Sequence, residues 1–107
     1  MIRIFLDDYR PCPEGYVLAR NYREMIKLLK RNKGQIEGLS LDHDLGEDKS
    51  GYDVCKWIVE NDNYPTDFIT VHSQNPIGAR NMMQLLTRYA PDTCDVRDRY
   101  GNHYYGY

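Results

Sequence analysis

Short apolar runs alternate along this chain with longer stretches whose apolar residues recur at helical spacing, and that alternation leaves few folds open. Ile2, Ile4, Phe5 and Leu6, interrupted only by Arg3, stop abruptly at Asp7-Asp8. A nearly continuous run of this length suits a strand covered on both faces. Tyr9 to Gly15 holds two prolines and a glycine and reads as loop, and Tyr16 to Ala19 can form a brief second strand. Asn21 then reads as an N-cap, with Glu24 three residues on as in a capping box. Tyr22, Met25, Ile26, Leu28 and Leu29 follow at helical spacing, Lys27, Lys30 and Arg31 suit the outer face and end, and Gly34 is the stop. Ile36 to Leu41 is the third strand, ending at Asp42-His43-Asp44. The polar loop from Gly46 to Gly51 leads to a helix with Tyr52, Cys55, Ile58 and Val59 on one side. Asp67 to Val71 is the fourth strand, ending at His72-Ser73. Asn75-Pro76 starts a helix that carries Met82, Met83, Leu85 and Leu86 to about Tyr89. Beyond Ala90 the pattern fades; Val96 can seat a short final strand, and Tyr100 to Tyr107 is rich in glycine and tyrosine.

Strands alternating with helices predict an α/β fold, a three-layer sandwich around a mainly parallel sheet. With 107 residues, no internal repeat and no linker, the chain is read as one domain over residues 1–90. Residues 91–107 are a C-terminal extension that packs on the same domain or is partly disordered. A formal charge of -2 argues against a protein that coats nucleic acid through broad phosphate contacts, though not against one that acts on a single phosphate. Cys12, Cys55 and Cys94 are odd in number and far apart, so neither a disulfide framework nor a zinc ribbon is indicated, and Cys55 reads as core. The sequence opens directly into a strand and holds no apolar run long enough to span a bilayer; the expected setting is the reducing cytosol.

Three strands end in polar punctuation: Asp7-Asp8, Asp42-His43-Asp44 and His72-Ser73. In an open α/β sheet ligands bind beyond the carboxyl ends of the strands. If the first strand is central, these loops converge on one crevice. Carboxylates crowded together raise one another's pKa unless a cation neutralises them. A hard cation such as Mg²⁺, or Mn²⁺ in its place, takes oxygen ligands and bridges carboxylates to phosphate. The helix start at Asn75 offers backbone N–H groups to an anion, and Arg10 and Arg80 offer guanidinium forks to phosphate. Each residue also has a plainer reading. Asp8 or Asp44 alone can cap a turn, His72 and His43 can be hydrogen-bonded structural histidines, and either arginine can be a surface ion pair. Glu47 and Asp48 read as solvated, and Met82-Met83 as core.

An acid pair after the first strand, an aspartate after the third and a hydroxyl residue after the fourth resemble the receiver domain of response regulators. By that resemblance Asp7 and Asp8 hold Mg²⁺, Asp42 accepts a phosphoryl group and Ser73 contacts it. Three features depart from the common receiver. The Pro11-Cys12-Pro13 loop replaces the first helix, the lysine after a fifth strand has no counterpart beyond Arg97 and Arg99, and Asp42 is followed by His43-Asp44-Leu45-Gly46. These departures resemble a variant, the cyclic-phosphate processing receiver domain. The resemblance rests on Leu6-Asp7-Asp8 with Arg10, Leu41 to Gly46, Gly51-Tyr52-Asp53, Trp57-Ile58, His72-Ser73, Asn75-Pro76 and Gly78, and it covers about residues 1–90. It implies a flavodoxin-like fold with its first helix lost and its C-terminal part reduced.

The resemblance implies processing or sensing of cyclic phosphates such as RNA 2′,3′-cyclic ends. Three readings follow. In the first, a metal-dependent phosphoesterase, Asp7, Asp8, Asp42 and Asp44 hold the metal and Asp42 is nucleophile or base. His72 or His43 protonates the leaving oxygen, and Arg10, Ser73, Asn75 and Arg80 hold phosphate. In the second, Asp42 is the phosphoacceptor of a switch. The third is a non-catalytic sensor of a phosphate or nucleotide, in which Tyr104, Tyr105 and Tyr107 stack on a base; packing over a sheet edge is the plainer role of that tail. The expected ligand is a phosphate-bearing small molecule or RNA end, and the weak final strand leaves an edge at which a dimer can form.

Overall fold

A computed structural model of the chain describes residues 1–104. Five strands, β1 (Ile2–Leu6), β2 (Val17–Ala19), β3 (Ile36–Leu41), β4 (Phe68–Val71) and β5 (Asp95–Asp98), form one sheet in the order β2-β1-β3-β4-β5. Every pairing is parallel. Three helices, α1 (Tyr22–Arg31), α2 (Gly51–Glu60) and α3 (Pro76–Tyr89), supply the crossovers from β2 to β3, β3 to β4 and β4 to β5.

Local chemistry sets the helix ends. Asn21 caps α1 by accepting from the Glu24 N–H at 2.9 Å, but Glu24 reaches back to the Arg20 N–H, one residue before the position of a capping box. The full capping box belongs to α2, where Ser50 and Asp53 exchange side-chain and backbone bonds. Glu47 is not simply solvated: it accepts from the Tyr22 N–H at 2.9 Å and so ties the β3–α2 loop to the start of α1. Helix α1 ends at Asn32, two residues before Gly34.

The core lies on one side of the sheet. Ile4, Leu6, Leu39, Leu41, Ile69, Val71 and Val96 meet Met25, Leu29, Val54, Cys55, Ile58, Met82 and Leu86 in one buried cluster. All three crossovers advance in the same direction along the sheet, so right-handed connections set the helices side by side on that face. The expected helical cover on both faces is therefore present on one. The helix that would shield the second face is replaced by the Tyr9–Tyr16 loop, and no helix follows β5 among the described residues. The second face covers itself with long and flat side chains. Arg3 pairs with Glu37 at 2.9 Å, Arg97 lies 4.6 Å from the Phe68 ring centre, and Phe5 meets Tyr16 edge-on.

Candidate functional site

Register builds the site. Leu6 pairs with Leu41 and Leu41 with Val71, so the next residues, Asp7, Asp42 and His72, emerge side by side at the carboxyl ends of three adjacent strands. The ladder continues through them: Asp42 N–H donates to the Leu6 carbonyl and His72 N–H to the Leu41 carbonyl, each at 3.0 Å. One ligand atom from each of Asp7, Asp42 and His72 lies within 4.8 Å of the others.

Asp7 is completely buried and fully engaged. Its Oδ1 accepts from the backbone N–H groups of Tyr9 (3.0 Å) and Arg10 (2.8 Å), and its Oδ2 from the Arg10 guanidinium and His72 Nε2, both at 2.9 Å. Burial alone would raise the pKa of this carboxyl. The Arg10 and Tyr9 amides, the Arg10 guanidinium and His72 outweigh it and hold the value at about 2. Asp7 can only accept, so the His72 bond is a donation from Nε2–H, and in the neutral ring Nδ1 accepts from the Ser40 hydroxyl at 2.7 Å. Burial lowers the pKa of His72, which favours this neutral ring, and Phe5 stacks flat beneath it at 4.7 Å. Both ring nitrogens are thus committed to protein groups.

Asp42 sits differently. It is almost as buried, yet among the described residues Oδ1 takes one donor, the His43 N–H at 2.8 Å, and Oδ2 has only the Arg10 guanidinium at 3.6 Å. Burial first, then repulsion from Asp7, raises its pKa. Asp8 makes no side-chain hydrogen bond or ion pair with the described residues. It lines, with Tyr9, Arg10, Asp42, Asp44 and Gln74, a cleft of about 130 Å³.

Of the remaining candidates Asp44 lines this cleft, His43 lines a separate pocket with Ser50, Tyr52 and Asn81, and Ser73 and Arg80 line a third. His43 Nδ1 bonds Asp44 Oδ1 at 2.8 Å, and that bond, with a contribution from Asn75, lowers the Asp44 pKa. The His43 ring lies so close to α3 that a Cβ at residue 78 would come within 2.5 Å of it, which is why that position is glycine. Gly51 is excluded from larger types in the same way by the Asp42 carbonyl, 2.0 Å from where its Cβ would stand. The Asn75 side chain accepts from the Gly78 N–H, and Ser73 Oγ accepts from the Asn75 N–H, so the chain itself uses part of the helix start that an anion would need. Arg80 is outside the acidic cleft and lines, with Ser73 and Gln74, a neighbouring cavity against the segment after β5. Arg99 follows β5 directly, but its guanidinium bonds the Tyr100 hydroxyl. The cation between the two central aspartates therefore comes from the β1 loop, as Arg10.

Sequence reasoning missed the residues that hold this arrangement. Arg20 donates to the carbonyls of Asp7 (3.2 Å) and Arg10 (2.8 Å) and fastens the β1 loop to the end of β2. Ser40 and Phe5 fix the ring of His72. The one available signal was Ser40 itself, a lone hydroxyl within the apolar run Ile36 to Leu41.

A parallel sheet in the order 2-1-3-4-5, with acidic loops beyond β1 and β3 at its switch point, defines a receiver-like α/β domain of flavodoxin type. The chain belongs to the cyclic-phosphate processing receiver domain family, whose model matches residues 2–88. Comparison with curated proteins and with solved structures gave no match. No helix among the described residues is long and apolar enough to cross a membrane.

The donors fit a hard divalent cation. Asp7, Asp42 and His72 stand close enough to hold a metal ion together, but Asp7 and His72 are already engaged with one another, Arg10 and Ser40, while Asp8, Asp42 and Asp44 offer carboxylates at the cleft.

Proposed function

We propose that this domain opens or removes a cyclic phosphate at the cleft on the carboxyl edge of its sheet. Mg²⁺ or Mn²⁺ is the cofactor, and a phosphate-bearing small molecule or RNA end the substrate. The observation that supports this most is the contrast at Asp42, a buried carboxyl of raised proton affinity whose Oδ2 stays underpaired beside the Arg10 guanidinium. Asp8 and Asp44 would hold the cation, whose charge would polarise the phosphoryl oxygens and leave Asp42 Oδ2 for the proton. Arg10, braced by Asp7 and Arg20, offers its remaining N–H groups to the same phosphate. Asp42, held through Oδ1 by the His43 N–H, uses Oδ2 to take the proton of the attacking water. As the water oxygen bonds to phosphorus, one ester P–O bond breaks and its oxygen takes a proton. His43 is the source we assign: its Nδ1 bonds Asp44 at the cleft and its Nε2 makes no hydrogen bond with the described residues, whereas both nitrogens of His72 are engaged. His72 is then a positioning residue for Asp7.

The test is incubation with a nucleoside 2′,3′-cyclic phosphate and Mg²⁺ or Mn²⁺ over a range of pH, followed by phosphorus NMR. Conversion to a phosphomonoester, dependent on the cation and lost in Asp42→Asn, is the expected result. A folded protein that converts nothing at any pH sinks the hydrolytic reading.

A phosphoacceptor switch is the second reading, favoured by the underpaired Oδ2 one residue beyond β3. Against it stands the origin of the cation, Arg10 on the β1 loop, with Arg99 beyond β5 turned to Tyr100. A phosphoryl mass increment on Asp42 after treatment with acetyl phosphate and Mg²⁺ would put this reading first.

A further inference from the structure

We propose that the cavity beside the acidic cleft, between α3 and the segment after β5, is a nucleoside subsite that takes the base and sugar of the phosphate-bearing ligand. This rests on the cyclic-phosphate reading and narrows its substrate to nucleotides. The cavity measures about 660 Å³, within the range of sites for small organic ligands. Its walls include Ser73, Gln74, Arg80, Arg99, Tyr100 and Tyr104. Gln74 lines both this cavity and the acidic cleft, so the two spaces adjoin at one residue. A phosphate seated in the cleft can therefore extend its remaining substituent past Gln74 into the cavity.

The chemistry of the walls matches a nucleoside better than a plain polyol. Tyr100 presents a ring that is 73% exposed, backed by Arg99, whose guanidinium bonds its hydroxyl at 2.8 Å and lies 5.0 Å from the ring centre. Tyrosine rings and guanidinium planes are the surfaces on which unpaired bases stack. Amide and hydroxyl groups of Gln74 and Ser73 supply donors and acceptors for a base edge or ribose. The platform is preformed. Asp98 Oδ1 accepts from the Tyr100 N–H at 2.8 Å and from the Asn102 N–H at 2.9 Å, fixing the turn that projects Tyr100. His103 bonds Asp95 of β5, and Tyr104 packs against the core, so the far wall is anchored as well.

The experiment uses the full chain with Tyr100→Ala and Tyr100→Phe. Each protein is titrated with uridine 2′,3′-cyclic phosphate and with glycerol 1,2-cyclic phosphate, which carries no base, and Kd is read from amide chemical shifts. Tyr100→Ala is expected to weaken the nucleotide about tenfold while leaving the glycerol compound unchanged, and Tyr100→Phe to bind both like wild type. Equal affinity of wild type and Tyr100→Ala for the nucleotide overturns the subsite, as does equal weakening of both ligands. Turnover of both compounds serves to separate the two ideas. Base-selective weakening in a protein that hydrolyses neither keeps the subsite and removes the hydrolytic reading. Hydrolysis of both with no effect at Tyr100 does the reverse.

Discussion

The loops after β1 and β3 each begin with a buried aspartate, and the two carboxylates face one another across Arg10, yet they live in opposite environments. Asp7 accepts four hydrogen bonds and is held at a pKa of about 2, whereas Asp42 accepts one from the backbone, stands 3.6 Å from the same guanidinium and has its pKa raised. Two like charges this close are kept apart in role by uneven pairing. The saturated acid holds the architecture of Arg10 and His72. The underpaired one has lone pairs left for a cation or a proton.

Truncating each acid breaks the comparison most directly. Asp7→Ala leaves a part-buried guanidinium and two backbone N–H groups without their acceptor, and an expected loss of about 3–5 kcal/mol should appear in urea unfolding. Asp42→Asn removes a charge whose burial is unfavourable, so unfolding should shift by less than about 1 kcal/mol while phosphate conversion falls about a hundredfold or more. If the two substitutions cost the same stability, the division of roles is wrong.

Acid titration sharpens the contrast. Asp7 drops from 3.8 unfolded to about 2 folded, so it contributes stability above pH 3.8 that disappears as pH falls from 3.8 through 2. At about 1.4 kcal/mol for each tenfold change, that is about 2–3 kcal/mol. Asp42 has the opposite sign: with its folded value raised, stability declines as pH climbs above 3.8 toward that value. His72, lowered from 6.5, makes stability decline as pH falls below 6.5. Unfolding curves of Asp42→Asn should therefore keep the steep loss between pH 3.8 and 2 and lose only the opposing contribution above it.

The smallest effect is expected at Ser40. Ser40→Ala deletes the donor to His72 Nδ1, costs about 1 kcal/mol and raises the imidazole pKa, because the neutral ring loses a partner. An NMR titration in which His72 keeps its wild-type midpoint would show that the hydroxyl does not hold the tautomer.

Periodicity alone determined a good deal of this molecule. Short apolar runs and helical spacing placed the first four strands and the starts of all three helices to within a residue or two, because burial on one helix face or in a strand writes itself into local spacing, whereas of β5 only Val96 was legible. The acids at the ends of β1 and β3 were equally visible as polar stops to apolar runs. Other features depend on partners distant in the chain and needed the tertiary structure. These are the direction of every crossover, which collects the helices on one face, the aligned register that sets His72 against Asp7, and the bracing by Arg20 and Ser40. Two neighbouring aspartates look identical in sequence, since pKa is set by the count of donors and the depth of burial, and both are decided only when strands distant in the chain come into register.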